Sequence, residues 1–316
     1  MGRGTLAAQR SGVMQRVNDQ ILLSASDLVA FQSCDHLTKL NWLATGDPEL
    51  RSQRDELDDS GVLITQRGIA HEKAHLMRLS DQGLHVRDIS ALAESNAERS
   101  ALTLAAMREG VDVVYQGTLA DGDLIGHADF LMRVDGQPSA FGDWRYEVAD
   151  TKLARSPQAK FLVQLAFYSR LLTVAQGVSP LLMHVVLGDH TQRSYACASY
   201  GHYVDALIGR LHERLSQLTS GLADTYPTPC SACDTCHWRT LCDTQRLADD
   251  HLCQVAGIQR TQWSKLQAAG ISTVKALAEA PIDLKVARIQ PQTLARLQAQ
   301  AALQHRGRVE GQRFVE

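Results

Sequence analysis

Hydrophobic positions in the first third of the chain recur at helical spacing. Ser24 followed by Asp27 is typical of a capping box, in which two side chains satisfy the backbone at a helix N-terminus. The apolar positions that continue this helix are Leu28, Phe31, Leu37 and Leu40. The segments 67–79 and 91–109 show the same periodicity and predict two more helices. The charged run 51–59 is typical of a solvated connection between the first helix and the second.

From residue 111 the pattern changes to short runs of β-branched residues. Segments 111–119 and 124–134 flank a turn at 120–123, which is typical of a β-hairpin. Asp135 and Gly136 predict a second turn. The remaining predicted elements are a third strand near 145–153, a helix over 156–175, strands over 181–187 and 193–200, and a helix over 203–222. This order predicts a mixed α/β core.

A cysteine-dense segment, residues 230–242, precedes a tail rich in Ala, Leu and Gln. We therefore predict three parts. They are a flexible lead-in (1–20), an α/β domain that includes the cysteines (21–248) and a small all-α region (249–316). Within the tail, glycines flank a predicted helix over 261–268. This arrangement resembles a helix-hairpin-helix, which binds the DNA backbone, and a plain helical hairpin explains the same pattern.

The composition excludes some classes of protein. The chain has 316 residues, with 32 Lys and Arg against 35 Asp and Glu, which excludes a uniformly basic nucleic-acid coat but not a local basic groove. No stretch approaches the roughly 18 apolar residues that a membrane span needs, and the first twenty residues lack the apolar core of a secretory signal. We expect a cytoplasmic protein without a membrane partner. In that reducing compartment, clustered cysteines bind metals more often than they form disulfides.

The predicted third strand carries Asp150 and Lys152, whose spacing puts them on one face of the strand, with Glu147 on the other. Asp129 lies on the preceding strand of the hairpin and can reach Asp150. Two adjacent carboxylates repel each other unless a divalent cation lies between them. The pattern therefore indicates a metal site, and a plain surface ion pair between Asp150 and Lys152 is the alternative.

Two helices add polar positions to this set: His71 on the early helix, and Gln164 with Tyr168, one turn apart, on the long one. The four resulting motifs are Gly68-x2-His71, Gly126-x2-Asp129, Asp150-x-Lys152 and Gln164-x3-Tyr168. Together they resemble the motifs of RecB-family nucleases in the PD-(D/E)XK superfamily, over about residues 21–250. CRISPR-associated RecB-like exonucleases and AddAB-type helicase–nucleases belong to the same group.

The resemblance implies a restriction-endonuclease-like α/β core, a mixed sheet flanked by helices. The implied ligands of Mg2+ or Mn2+ are His71, Asp129, Asp150 and the carbonyl of Thr151. Lys152 would position or activate the attacking water and offset charge that develops on the phosphate. Gln164 and Tyr168 would orient the DNA, and Glu147 would support the site from the opposite face of its strand.

The cysteine segment places Cys230, Cys233, Cys236 and Cys242 within thirteen residues, a pattern that favours metal or cluster ligation. Four local thiolates can hold Zn2+ or an iron–sulfur cluster. The resemblance implies a [4Fe-4S] cluster bound by Cys34, Cys233, Cys236 and Cys242. Cys230 is then left without a partner, which keeps a local zinc site as the alternative.

These residues lead us to expect a metal-dependent DNA nuclease. The resemblance favours an exonuclease that acts on single-stranded or end-containing DNA in repair, recombination or defence. A helicase, or a further nuclease domain or subunit, is the expected partner besides DNA. The alternatives are a non-catalytic DNA-binding subunit and a zinc-ribbon interaction protein, each with a nuclease-like scaffold.

Overall fold

The computed structural model describes residues 14–18, 20–222 and 224–311, which form two compact units. The first unit spans residues 1–52 and 56–224, and the second spans 53–55 and 225–316. The cysteine segment thus belongs to the second unit, and the division falls before the boundary expected at residue 248. Within the described ranges, no helix is long and apolar enough to cross a membrane.

The strands of the first unit form two sheets within the described residues. They are β1 (Gln15–Val17), β2 (Gln20–Leu22), β3 (Val86–Asp88), β4 (Val113–Asp121), β5 (Leu124–Ser139), β6 (Gly142–Thr151), β7 (Leu182–Val186) and β8 (Gln192–Ala196). The first two pair as an antiparallel ribbon, and the other six form a mixed sheet in the order β3-β4-β5-β6-β7-β8. The β3–β4 and β6–β7 pairs are parallel and the remaining neighbours are antiparallel.

Helices cover both faces of the six-stranded sheet. The helices of the first unit are α1 (Ala25–Ser33), α2 (Asp35–Leu43), α3 (Pro48–Ser52), α4 (Asp59–Asp81), α5 (Asn96–Arg108), α6 (Ala159–Gln176) and α7 (Gly201–Thr219). Val148 of β6 packs in a cluster with Leu28 of α1 and Phe167 of α6. Its neighbour Ala149 packs in a separate cluster with Leu79 of α4. This alternation confirms the predicted α/β class with a mixed sheet flanked by helices, and the PD-(D/E)XK identity stays a prediction.

The capping box at the first helix is confirmed. Asp27 Oδ2 accepts hydrogen bonds from the backbone N of Ser24 at 2.8 Å and from its hydroxyl at 2.7 Å. The single helix predicted to continue to Leu40 is wrong, because the chain becomes extended at Cys34 (φ −159°, ψ 114°) between α1 and α2. The Cys34 sulfur accepts from the backbone N of Leu37 at 3.4 Å and so caps α2.

The bounds of other predicted strands and helices also differ from those in the structure. The turn at Asp135 and Gly136 is wrong, because β5 continues to Ser139 through an irregularity in its pairing that accommodates Gly136 at φ 66°. Helix α4 begins well before residue 67, since the Asp58 side chain accepts from the backbone N of Gly61 at 2.7 Å. The three-residue strand β3 is too short to leave a periodic signal.

The expected flexible lead-in falls largely outside the described residues, which omit 1–13 and 19. Where the lead-in is described, residues 15–17 form strand β1, paired with β2. Backbone hydrogen bonds drive this pairing, since no hydrophobic alternation marks so short a ribbon.

The second unit is helical, as expected. Its helices are α8 (Arg239–Ala248), α9 (Arg260–Ala268), α10 (Val274–Ala278) and α11 (Pro291–Glu310). Trp263 and Leu266 of α9 pack with Leu277 of α10 and Leu294 of α11 in a separate core. Helix α9 confirms the helix predicted over 261–268. DNA binding by this hairpin stays a prediction.

Candidate active site

The pairing of β5 with β6 brings two of the predicted carboxylates together. Phe130 lies across from Ala149, so the next position of this antiparallel pair places Asp129 across from Asp150. Asp129 Oδ2 accepts from the backbone N of Thr151 at 3.1 Å and from its hydroxyl at 3.2 Å. The Lys152 ammonium lies 2.5 Å from Asp150 Oδ2. Asp129, Asp150 and Lys152 therefore form one cluster at the end of β6.

Burial and the mutual repulsion of the carboxylates dominate the electrostatics of this cluster. Burial, followed by the charge of Asp150, raises the pKa of Asp129 to about 8. Burial lowers the pKa of Lys152, but the charges of Asp150 and Asp129 outweigh that effect and the net pKa is raised. One ammonium thus faces two carboxylates, and a divalent cation would supply the missing positive charge.

His71 lies on α4 with its side chain buried. Its Nε2 atom is buried and has no hydrogen-bond partner among the described residues. The ring stacks on His190, which follows β7, with centroids 4.7 Å apart. Neither aspartate hydrogen-bonds to His71 in the described parts of the chain, where no three His, Cys, Asp or Glu side chains surround a common ion position.

Gln164 and Tyr168 contact each other on α6, where the Gln164 amide donates to the Tyr168 hydroxyl at 3.0 Å. Burial raises the pKa of Tyr168, and the charges of Asp150 and Asp129 raise it further, so the phenol stays protonated at neutral pH. A Cβ at Gly126 would lie 2.7 Å from Tyr168 Cδ1, which explains a glycine at this position of β5. The ring of Tyr168 therefore packs directly on the strand that carries Asp129.

Three residues that the sequence patterns did not single out belong to the same cluster. The Tyr115 hydroxyl donates to Glu72 Oε1 at 2.7 Å, and the Gln116 amide nitrogen donates to the same oxygen. That nitrogen also donates to Asp129 Oδ1 at 3.3 Å. Glu72 is buried and directly follows His71, so adjacency could have suggested it. Nothing in the local pattern marks Gln116.

Gln116 also has an unusual backbone. Its φ is +54°, in the left-handed region, although it lies within strand β4. Residues with a Cβ pay about 1–3 kcal/mol for such a conformation. The pairing on either side keeps its register, with Tyr115 across from Phe130 and Gly117 across from Ala128. The distortion is therefore local to Gln116.

Glu147 makes contacts away from this cluster. Its Oε1 accepts from the backbone N of Leu182 at 2.9 Å, and its Oε2 lies 2.9 Å from His184 Nε2. The other nitrogen of His184 lies 2.8 Å from the Ser194 hydroxyl. This chain of contacts joins β6, β7 and β8, and a role in holding the strands together follows from it.

All seven cysteines fall within the described residues, and no disulfide bond joins any two of them. Cys34 belongs to the first unit, whereas Cys233, Cys236 and Cys242 belong to the second. A cluster shared by these four residues stays a prediction.

Within the second unit, the cysteine segment folds as a tight 3-10 turn, Ser231–Thr235. The sulfurs of Cys230 and Cys233 are 3.9 Å apart. Two thiolates on one tetrahedral zinc ion would lie about 3.8 Å apart, given a Zn–S distance of about 2.3 Å. The backbone N of Trp238 donates to the Cys236 sulfur at 3.4 Å, as thiolate ligands often require. The spacing of this sulfur pair fits a zinc ion, although nowhere in the described residues do three His, Cys, Asp or Glu side chains surround a common ion position.

Comparison of the chain with known protein families and with curated proteins found no match. Asp129 and Asp150 beside Lys152 offer carboxylate oxygens, the donors that hard cations such as Mg2+ or Mn2+ prefer. A lysine that stays charged at neutral pH suits reactions in which negative charge develops on the substrate.

Proposed function

We propose that this chain is a Mg2+- or Mn2+-dependent nuclease that hydrolyses phosphodiester bonds in DNA. The observation that carries this proposal is the placement of Asp129 across from Asp150, with Lys152 against Asp150. Burial of two carboxylates with one ammonium is costly for folding, because each charge loses its hydration. Such clusters of perturbed ionisable groups are typical of functional sites.

The donors present fit a divalent cation. Burial and the neighbouring charge of Asp150 raise the pKa of Asp129, and the buried Nε2 of His71 has no hydrogen-bond partner among the described residues. Asp129, Asp150 and His71, helped by the carbonyl of Thr151, would hold the ion. A bound divalent cation lowers the pKa of water and polarises phosphoryl oxygens.

The side chains of the protein do the remaining work. Lys152 keeps its charge because its net pKa is raised, and Asp150 holds the ammonium in place. That ammonium offers a positive charge where negative charge builds up on the phosphate. Tyr168 keeps its proton and can donate a hydrogen bond to a phosphate oxygen, while Gln164 orients the hydroxyl.

The resemblance to RecB-family nucleases supports finer proposals. The substrate would be single-stranded or end-containing DNA, cleaved exonucleolytically in repair, recombination or defence. The partner would be a helicase or a further nuclease domain or subunit. The cofactor would be a [4Fe-4S] cluster on Cys34, Cys233, Cys236 and Cys242. Iron, sulfide and zinc analysis of anaerobically purified protein tests this cofactor, since one zinc per chain without iron supports the local alternative instead.

The experiment on activity compares cleavage of end-labelled single-stranded and duplex DNA with Mn2+ or Mg2+. Asp150→Asn and Lys152→Ala should each lower cleavage by about 100- to 1,000-fold, because the first removes a carboxylate that would hold the cation and the second removes the positive charge that faces the reacting phosphate. Lys39→Ala is the matched control, since Lys39 pairs with the exposed Asp224 at 2.6 Å outside the cluster. Undiminished cleavage by both site variants contradicts the proposal. A wild type that binds DNA without cutting it indicates the non-catalytic alternative.

A further inference from the structure

One residue of the cluster combines an unfavourable backbone conformation with a double hydrogen bond. Gln116 lies within β4 at φ +54°, and Gly117, which tolerates that conformation, is its direct neighbour. A chain under no other constraint would place the glycine where the left-handed conformation is needed. The side chain of Gln116 is therefore the feature to explain.

The amide of Gln116 bridges two carboxyl groups from different elements. Its nitrogen donates to Glu72 Oε1 on α4 and to Asp129 Oδ1 on β5, the latter at 3.3 Å. An amide nitrogen carries two N–H bonds and no lone pair for acceptance, so it matches two acceptor oxygens. A carboxylate in its place would repel both partners, and an apolar side chain would leave both without this donor.

The bridge completes the orientation of Asp129. Thr151 already donates to Oδ2 from its backbone N and its hydroxyl, and Gln116 donates to Oδ1. Each carboxylate oxygen has two lone pairs. The two hydrogen bonds from Thr151 occupy those of Oδ2, whereas the hydrogen bond from Gln116 leaves one lone pair on Oδ1 for a cation. Groups that orient metal ligands in this way typically contribute 10- to 100-fold, roughly, to metal affinity or activity.

We propose that Gln116 is a positioning residue, whose amide holds Asp129 in the orientation that binds the divalent cation and separates it from Glu72. This inference rests on the proposed function, since the cation is that of the proposed nuclease site. The strained backbone is retained because it aims the amide at both carboxyl groups. Strain of this kind persists where the surrounding structure requires it, often at active sites.

Two variants of the full chain separate the side chain from the backbone. Gln116→Gly removes the amide and relieves the left-handed conformation, whereas Gln116→Met removes the amide and keeps the conformation. Mn2+ binding is measured by isothermal titration calorimetry, beside thermal unfolding followed by circular dichroism. Both variants should bind Mn2+ about 10- to 100-fold more weakly than wild type. Only Gln116→Met should unfold at a lower temperature.

The control is Asn18→Gly, which makes the same backbone change at φ 48° in the turn between β1 and β2. It should bind Mn2+ as tightly as wild type. Wild-type affinity in both Gln116 variants overturns the positioning role and leaves the proposed nuclease intact. Absence of Mn2+ binding by the wild type overturns the proposed function and this inference together, whereas binding without cleavage overturns the proposed function alone.

Discussion

Gly126 offers a direct test of the packing that joins α6 to the strand carrying Asp129. A Cβ built at this position lies 2.7 Å from Tyr168 Cδ1 and 2.9 Å from Leu171 Cδ1. Real Cβ atoms do not approach so closely, so Gly126→Ala must displace one of these side chains. Leu171 is fully buried and Tyr168 nearly so, which leaves neither a free path to move.

The magnitude follows from the cost of adding one methyl group to a packed core, about 1–3 kcal/mol. For a unit of this size, each kcal/mol lowers the midpoint of thermal unfolding by about 2–4 °C. Displacing Tyr168 should also lower Mn2+-dependent cleavage, because its hydroxyl and the Gln164 amide move away from the carboxylates. Circular dichroism melts and the labelled-DNA assay measure the two effects on the same preparations.

Gly209→Ala is the matched control. Gly209 lies within helix α7, and a Cβ there meets no atom within 4 Å in the described structure. Alanine favours a helix interior over glycine by about 0.5–1 kcal/mol, so this variant should be more stable than wild type. A Gly126→Ala protein that melts with the wild type, while Gly209→Ala gains stability, would refute the packing argument.

Two further predictions concern helix α4 and the second unit. Asp58→Ala should lower the free energy of unfolding by about 1 kcal/mol in urea titrations, because the backbone N of Gly61 loses its acceptor, and Asp58→Asn should retain most of that stability. Burial lowers the pKa of His251; the charge of Arg246 lowers it further, and the charge of Asp249 opposes this effect. The Nδ1 atom of His251 accepts from the backbone N of Cys253 at 3.0 Å. Because its pKa is lower in the folded protein, His251 binds a proton more readily in the unfolded chain. The free energy of unfolding that neutral His251 contributes is therefore present above about pH 6.5 and is lost as the pH falls through the lowered pKa. His251→Gln should show a smaller loss of stability on acidification than wild type in urea titrations at several pH values, and equal losses would contradict the assignment.

Much of the fold follows from local patterns. The capping box at Ser24 depends on two residues three apart, and the hairpin between β4 and β5 depends on adjacent runs with a short turn, so both were predictable. The break at Cys34 was not, because it depends on a sulfur that caps the second helix rather than on any loss of helical spacing. Continuation of β5 past Gly136 likewise depends on its partner strand, which no local window contains.

The residues of the candidate site also divide into those that were predictable from local patterns and those that were not. The sequence predicted Asp129 beside Asp150 because the two lie on consecutive strands, although their register depends on a turn that lies after Ser139. Gln116 contacts Glu72, which lies 44 positions earlier in the chain, and the residue type does not reveal the backbone conformation of Gln116. Sequence motifs therefore identify the residues that supply charge or bind a cation, since these must be Asp, Lys or His. The residues that orient these charged side chains depend on the local backbone geometry. With a different backbone, several other residue types could take the same role. Gln116→Gly therefore tests the positioning role of the side chain, because it removes the amide and at the same time relieves the left-handed backbone conformation of residue 116.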